Sequence, residues 1–211
     1  GGDALADPLL VAPLGASAVL LFAVPASPLT QPRAVIGGSI LSALVGVTCA
    51  KFVPEPILAA SLAVGASIAL MSLLGCLHPP GGAVALTSVI GGASVTDLGY
   101  GFAFVPVGLG AVLLVLSAIA FNTLVGRSYP HRVKTPASPH ATADPVPDAR
   151  MGYTPADLDK ALAQYGELLD VSREDLDALF RQVELQTHQR LHSQILCGDI
   201  MSRDVVTIDA H

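Results

Sequence analysis

The chain has 211 residues, of which 52% are hydrophobic and only 13% are charged, whereas soluble domains carry about 25% charged residues. Residues 8–126 hold four charged residues, while residues 127–211 hold nine basic and thirteen acidic ones, a net charge of −4. This division predicts a membrane-embedded first part and a soluble tail. It excludes a disordered chain, a disulfide scaffold and a single soluble globule. Because no basic face is present, it also argues against nucleic acid as a partner.

The apolar stretches predict an all-α integral membrane bundle, because a helical span needs about 20 apolar residues. Four spans are predicted, over 8–26, 34–50, 57–77 and 100–126. Residues 79–96 are uncharged but rich in Gly, Ser, Thr and Pro. They form either a fifth, polar-lined span or a re-entrant half-helix, which membrane proteins tolerate where protein or a water-filled cavity surrounds it.

Basic residues directly after the last span predict its orientation. Arg127, Arg132 and Lys134 lie there, and the positive-inside rule places that end in the cytoplasm. The membrane is expected to be a bacterial inner membrane. If 79–96 is re-entrant, Lys51 lies inside and Arg33 outside. If 79–96 spans the membrane, these two residues exchange sides.

The tail divides into three parts after the membrane domain, which covers residues 1–127. Residues 128–152 contain five prolines and predict an extended linker. Residues 153–192 predict two helices, capped by Thr154 and Ser172, that form a helical hairpin or pack against a partner chain. A short strand is predicted over 205–208, at the start of a further domain.

Residues 77–83, with the sequence Leu-His-Pro-Pro-Gly-Gly-Ala, carry the first candidate site. Prolines end one helix and begin another, so a new helix is expected near Pro80, after Pro79. The N–H groups of Gly81, Gly82 and Ala83 are then its free donors, at a helix N-terminus suited to an anion.

His78 precedes these prolines and is the one His, Lys, Arg, Asp or Glu between Glu55 and Asp97. An ionisable group inside a membrane domain is a functional candidate. The alternative is a histidine at a loop edge, or one whose ring is bonded to a carbonyl.

A second candidate site begins at Pro13. Residues 13–18 resemble residues 80–85 when shifted by 67 positions, because Pro, Gly, Ala and Ala recur. The match indicates an internal repeat with two broken helices, which in transporters meet at the central site. It adds Gly15, Ala16 and Ser17 to the predicted anion site; coincidence among common small residues is the alternative.

Arg33 is the third candidate and lies between two apolar segments, before Gly37 and Gly38. A guanidinium group can hold a small planar anion through two parallel N–H bonds, and Thr30 and Gln31 offer further polar contacts. The alternative is an arginine that only extends to the lipid head groups.

No motif indicates an enzyme, a metal site or a bound cofactor. The chain lacks GxSxG, P-loop and HExxH patterns. Its three cysteines, Cys49, Cys76 and Cys197, have neither zinc-site nor disulfide spacing. Lys51 and Glu55 flank Pro54 at a span end and are expected to pair at the interface.

The 77–83 motif resembles the signature of the HPP family of integral membrane proteins. Supporting stretches occur at 12–22, 27–33 and 35–38, and the resemblance covers about residues 8–132. Ala34 and Ser39 depart from it, since Asn and His are expected there. The family also has an apolar segment upstream of residue 8, and because the chain starts at Gly1 we expect a fragment.

Residues 197–209 resemble the opening of a CBS (cystathionine-β-synthase-type) domain. That resemblance implies a cytoplasmic module regulating the membrane unit, with adenine nucleotide bound by the remainder of the module. The HPP resemblance implies transport of a small anion, nitrite first. Arg33, His78 and the helix N-termini are the residues expected to bind it.

We therefore expect a membrane transporter of a small inorganic anion, embedded in the lipid bilayer as a homo-oligomer. A non-transporting sensor or anchor that signals to the CBS module is the main alternative, and a structural assembly subunit is another.

Overall fold

A computed structural model describes residues 12–131, 153–166 and 169–191, in two units that divide the chain after Arg132. The described part of the first unit is helical and contains no strand. Its helices are α1 (Pro13–Ala23), α2 (Arg33–Phe52), α3 (Pro56–Leu73), α4 (Pro80–Ile90), α5 (Ala93–Thr96) and α6 (Ala103–Leu124), with one 3₁₀ turn over Pro28–Thr30.

Three of these helices are long and apolar enough to cross a membrane. They are α2 with 20 residues, α3 with 18 and α6 with 22, and they overlap the predicted spans 34–50, 57–77 and 100–126. Helices α1 and α4 each have 11 residues, about 16 Å at 1.5 Å per residue. The membrane bundle predicted from composition is thus confirmed in its helical character.

Local sequence explains where the helices begin. Pro13, Pro56 and Pro80 each occupy the first helical turn, where a missing N–H costs nothing. The Glu55 carboxylate accepts the N–H groups of Ile57 and Leu58, capping α3. The predicted Lys51–Glu55 pair is therefore wrong, since this carboxylate serves as a cap and the Lys51 ammonium lies 4.4 Å from the ring centre of Tyr100.

The first turns of α2 and α6 are π-helical, over Arg33–Gly37 and Ala103–Leu109. Pro106 lies inside the second of these. Because a proline cannot donate an N–H and its ring crowds the preceding turn, the wider π turn accommodates it without ending the helix.

Glycines mark the closest contacts between α2 and α4. A Cβ on Gly38 would lie 2.9 Å from the Cβ of His78, and one on Gly46 would lie 2.5 Å from the carbonyl O of Ala85. Residue numbers therefore increase in the same direction along α2 and α4, so the two helices are parallel. Residues 78–99 follow α2 to its other end, where Gly99 faces Lys51, rather than returning to the end where they began.

The remaining contacts fix the direction of the other helices. Leu14 and Phe22 of α1 lie against Gly110 and Phe121 of α6, so these two helices are parallel. Tyr100 lies near Thr48 and Gly108 lies near Ile40, so α6 is antiparallel to α2. Because α1 is parallel to α6 and α2 is parallel to α4, α1 is also antiparallel to α4.

The first unit consequently contains two similar halves that run in opposite directions. One is α1, the 3₁₀ turn and α2, and the other is α4, α5 and α6. The short helices α1 and α4 have the same length, and both their first and their last residues are 67 positions apart. Each is followed later in its half by a long helix with a π-helical first turn. Helix α3 lies between the halves in the chain.

Two apolar clusters form the core of this unit. The first cluster contains Ala43, Val47, Val84, Val95, Phe102, Ala103 and Val107. The second cluster contains Leu21, Val35, Ala111, Val115, Ala118 and Tyr129. Leu14 packs against both.

The described part of the second unit contains α7 (Pro155–Tyr165) and α8 (Arg173–Leu191). The predicted caps are confirmed: the Thr154 hydroxyl accepts the Asp157 N–H, and the Ser172 hydroxyl accepts the Asp175 N–H at 3.0 Å. The Arg173 guanidinium donates to the Asp159 carboxylate and joins the two helices. This pairing favours the ionised acid and lowers the pKa of Asp159.

The predicted CBS segment 197–209 and the strand over 205–208 lie outside the described residues. So does nearly all of the predicted linker 128–152, of which the structure describes residues up to 131.

Candidate functional site

His78 lies in the interior of the first unit, with 0% of its surface exposed. Its Nδ1 is 2.9 Å from the carbonyl O of Leu29, and its Nε2 is 2.7 Å from the hydroxyl of Ser17 on α1. A carbonyl only accepts, so Nδ1 carries a proton and donates it to Leu29. The ring therefore joins the start of α4 to α1 and to the turn before α2.

The Ser17 hydroxyl has a second partner, the carbonyl O of Pro13 at 3.3 Å. It has one proton, which it gives either to Nε2 of His78 or to Pro13. With a neutral ring, Ser17 donates to Nε2. With a doubly protonated ring, Nε2 donates to Ser17, which then donates to Pro13. Rotation of one hydroxyl therefore accommodates both protonation states of the histidine.

Close packing fixes the His78 loop in place. A Cβ on Gly38 would lie 2.6 Å from the carbonyl O of Cys76, and one on Gly81 would lie 2.6 Å from the hydroxyl of Ser42. A larger residue at position 38 or 81 would push the loop away from α2. Gly37 is different, since its nearest such neighbour, the Cβ of Cys76, lies at an ordinary 3.6 Å.

Ser39 is fully buried on α2, and its hydroxyl has no hydrogen-bond partner. Residues four positions apart share a helix face, so Ser39 lies between Val35 of the second cluster and Ala43 of the first. Ser17 occupies a comparable place on α1, between Leu14 and Leu21. We call Ser17, Ser39 and His78 the polar layer.

Arg33 does not join the polar layer. Its side chain is exposed, and its guanidinium donates to the carbonyl O of Leu74 at 2.8 Å. Leu74 caps the C-terminus of α3, where a cation is stabilised by unpaired carbonyls and the helix dipole. Arg127 repeats this arrangement at the end of α1, where it donates to the carbonyl O of Phe22 at 3.2 Å.

Thr30 and Gln31 hold the turn before α2. The Thr30 hydroxyl donates to the carbonyl O of Ser27 at 2.8 Å, and the Gln31 amide donates to the same oxygen at 2.8 Å. These groups are committed to the backbone, so the prediction that they contact an anion has no support from their geometry.

The same turn binds the segment that follows α6. The Tyr129 hydroxyl donates to the carbonyl O of Thr30 at 2.9 Å, and the Gln31 side-chain oxygen accepts the His131 N–H at 2.9 Å. Burial raises the pKa of Tyr129 to about 12, so this phenol remains a donor at neutral pH.

The prediction that the first N–H groups of the two short helices are free donors is wrong for Gly15, Gly81 and Gly82. The Gly81 and Gly82 N–H groups donate to the carbonyls of His78 and Pro79, and the Gly15 N–H donates to Ala12. Both helices have αR residues before their first turn, so tight local bonds already satisfy these groups. Ala16 and Ala83 are exposed, while Pro13 and Pro80 are buried.

Sequence reasoning missed Ser39 as a site residue and treated it only as a departure from the family pattern. Its position one residue after Gly38 was the available signal. No group of three or more His, Cys, Asp or Glu side chains that would suit a metal ion occurs in the described part of the chain.

Comparison with known proteins matches residues 3–130 to a family model described as "HPP, transmembrane region". The chain is also similar to two transmembrane proteins of Dictyostelium discoideum. One is 44% identical over 131 residues, which cover 58% of this chain and 44% of that protein. The other is 39% identical over 126 residues, which cover 57% and 40%. The chain thus spans less than half the length of these relatives. No solved structure shows significant similarity.

Proposed function

Because the chain belongs to the HPP transmembrane family, we propose that its membrane unit carries a small inorganic anion, nitrite first, across the bilayer past His78. The supporting observation is the bond between Ser17 and His78 at 2.7 Å. It joins α1 of one half to the loop that leads into α4 of the other half, and the two halves run in opposite directions. Transporters built from such inverted halves bind substrate where short or interrupted helices of the two halves meet.

The distribution of charge favours an anion over a cation. Among residues 12–131, the acidic side chains are Glu55 and Asp97, both exposed. Arg33 and Arg127 lie near the carboxyl ends of α3 and α1, and each donates to a carbonyl rather than to a carboxylate. A positive entrance raises the local concentration of anions.

The polar layer limits the size of the solute. Ser17, Ser39 and His78 are buried, and members of the two apolar clusters flank Ser17 and Ser39 on their helices. A large polar solute would leave most of its groups unsatisfied there, at a cost of several kcal/mol. A small monovalent anion needs few donors, which hydroxyl and imidazole groups supply.

The proposal includes the regulation implied by the CBS resemblance. We place the Arg33 end, from which the chain leaves α6 toward the tail, in the cytoplasm. A complete CBS module beyond residue 197 would bind adenine nucleotide there and alter flux. The membrane unit would act as part of a homo-oligomer.

Nitrite uptake into proteoliposomes tests the proposal. The full-length protein is reconstituted, external nitrite is added, and trapped nitrite is measured against protein-free liposomes. We expect uptake that saturates with nitrite. Competition with nitrate, formate and chloride then defines selectivity. Folded protein with uptake equal to that of empty liposomes would reject the proposal.

The sensor alternative is favoured by one specific arrangement. Leu29 accepts from His78, and the next two residues, Thr30 and Gln31, bind Tyr129 and His131 after α6. A change at His78 therefore has a short path to the segment that leaves the membrane unit. Saturable nitrite binding by folded protein, without flux, would support the sensor and exclude the transporter.

A further inference from the structure

We propose that Ser39 and the His78–Ser17 pair form one internal site that takes a small anion together with one proton. The membrane unit is then an anion–proton symporter. This inference rests on the proposed function and specifies what accompanies the anion.

The first observation is the unpartnered hydroxyl of Ser39, which is fully buried. Buried polar groups in proteins nearly always have a hydrogen-bond partner. A helix residue such as Ser39 can donate to a carbonyl in its own preceding turn, as Ser88 does to Val84 at 2.9 Å. Ser39 does not do so, and its O–H is therefore available to an acceptor such as an anion.

The second observation is where Ser39 lies. It marks the boundary between the two apolar clusters, and the adjacent Gly38 approaches the Cβ of His78. The unpartnered hydroxyl and the histidine thus occupy the same level of the bundle. An anion beside Ser39 would lie in the field of a charged imidazole.

The third observation is that the bonds of His78 suit both of its protonation states. Nδ1 donates to Leu29 in either state, and the Ser17 hydroxyl accepts from or donates to Nε2 by rotating. Proton uptake at Nε2 therefore requires no movement of the backbone. The proton comes from the aqueous phase on one side and leaves from the same atom to the other.

Among residues 12–131, no carboxylate is bonded to the His78 imidazole. The described elements packed around His78 are α1, the turn at residues 27–31, α2, α4 and α3, whose Met71 lies beside Gly38 and Gly81. Apart from His78, the charged or titratable side chains of residues 12–131 are Arg33, Cys49, Lys51, Glu55, Cys76, Asp97, Tyr100, Arg127, Tyr129 and His131. The two carboxylates, Glu55 and Asp97, are both exposed; Glu55 caps α3, and Asp97 lies near Gly99, which faces Lys51 at the far end of α2. In this proposal the bound anion supplies the counter-charge.

This arrangement makes anion and proton bind cooperatively. A buried charge is unfavourable unless paired, so the anion favours a protonated ring and the protonated ring favours the anion by the same factor. A pair without net charge then crosses the apolar interior. An internal site that held the anion alone would lack this compensation.

The test measures nitrite uptake by the reconstituted full-length protein while the pH gradient and the membrane potential are varied separately. Protein-free liposomes correct for nitrous acid that crosses the bilayer unaided. One-to-one symport predicts about tenfold accumulation for each pH unit of gradient, acidic outside, since one proton accompanies each anion. It also predicts no response to a potential set with potassium and valinomycin. Uptake that follows the potential and ignores the pH gradient would overturn symport.

Ser39→Ala tests whether the Ser39 hydroxyl donates a hydrogen bond to the anion, and Ser88→Ala is the matched control. Both remove a buried hydroxyl, but that of Ser88 is already bonded to its own helix. We expect Ser39→Ala to keep its melting temperature and to need at least tenfold more nitrite for half-maximal uptake, while Ser88→Ala needs no more. Equal nitrite dependence in the two variants would overturn the role of Ser39.

His78→Asn tests the proton site, because its amide can still donate to Leu29 but cannot titrate. We expect accumulation driven by the pH gradient to disappear in this variant. Should it misfold, Ser17→Ala leaves the imidazole in place and should reduce the same accumulation. Gradient-driven accumulation that survives in both variants would contradict the assignment. Absence of any wild-type flux would instead reject the transport function itself.

Discussion

The imidazole Nε2 of His78 lies 2.7 Å from the hydroxyl of Ser17, a residue 61 positions earlier on α1. Both groups are buried; Ser17 lies on α1 of one half, and His78 lies in the loop that leads directly into α4 of the other half. Their bond is thus a side-chain link between α1 and the loop that begins α4.

Ser17→Ala should weaken this link. The substitution leaves Nε2 of His78 without a partner in the interior, which costs about 1–3 kcal/mol. We expect a lower melting temperature in detergent. Ser72→Ala is the control, since Ser72 is exposed and bonds only its own helix; it should stay within about 0.5 kcal/mol of wild type. Equal melting temperatures for the two variants would show that the link adds no stability.

Gly38→Ala should destabilise the membrane unit by about 1–3 kcal/mol, the usual cost of overpacking. The added methyl would lie 2.6 Å from the carbonyl O of Cys76, a backbone atom that cannot move without displacing the His78 loop. Gly65→Ala is the matched control, because nothing lies within 4 Å of a Cβ there.

In that control variant we expect a gain of about 0.5–1 kcal/mol, because alanine favours a helix interior over glycine. Thermal unfolding in one detergent compares the two. A stable Gly38→Ala variant with unchanged uptake would show that the contact between α2 and the His78 loop is looser than described.

Arg33→Ala should lower stability by about 0.3–1 kcal/mol, the usual worth of a cation at an exposed helix C-terminus. Since Arg33 donates to Leu74 rather than facing the polar layer, we expect uptake to persist with a higher half-saturating nitrite concentration. Arg127→Ala, with the same type of bond to Phe22, should behave alike. If Arg33→Ala lost all uptake and Arg127→Ala did not, Arg33 would be part of the anion-binding site after all.

Acid should loosen the second unit. The bond from Arg181 lowers the pKa of Asp177, and the Thr154 N–H lowers that of Asp157. A depressed folded-state pKa stabilises the fold above the ordinary value of 3.8, and this stability is lost as pH falls further. Hydrogen exchange of α7 and α8 in the full chain should therefore accelerate below about pH 4.

Asp177→Asn removes one of these carboxylates and also the ion pair with Arg181 at 2.8 Å. Its hydrogen exchange should be faster at neutral pH and should change less on acidification. If wild type and Asp177→Asn responded identically to acid, Asp177 would have no part in the effect.

Helix positions could be predicted from the sequence because their signals are local. Proline at the first turn of α1, α3 and α4, and a capping residue before α7, act within a few residues. The long apolar runs likewise reveal α2, α3 and α6. The Pro-Gly match at 13 and 80 pointed to the two short helices of equal length.

The composition of the site could not be predicted in the same way, because it depends on contacts between distant segments. Arg33 and His78 were expected together, but Arg33 faces the exposed end of α3. Gly81 and Gly82 were expected to offer free N–H groups, yet the preceding turn already binds them. The partners of His78, Ser17 and Leu29, are 61 and 49 positions away.

The most direct test of the transport claim is nitrite uptake by wild-type protein, His78→Asn and Ser88→Ala at equal reconstitution and pH. The account predicts saturable uptake by wild type and Ser88→Ala, and at least a tenfold lower initial rate for folded His78→Asn. Equal rates for the three proteins, or no wild-type uptake above empty liposomes, would contradict it.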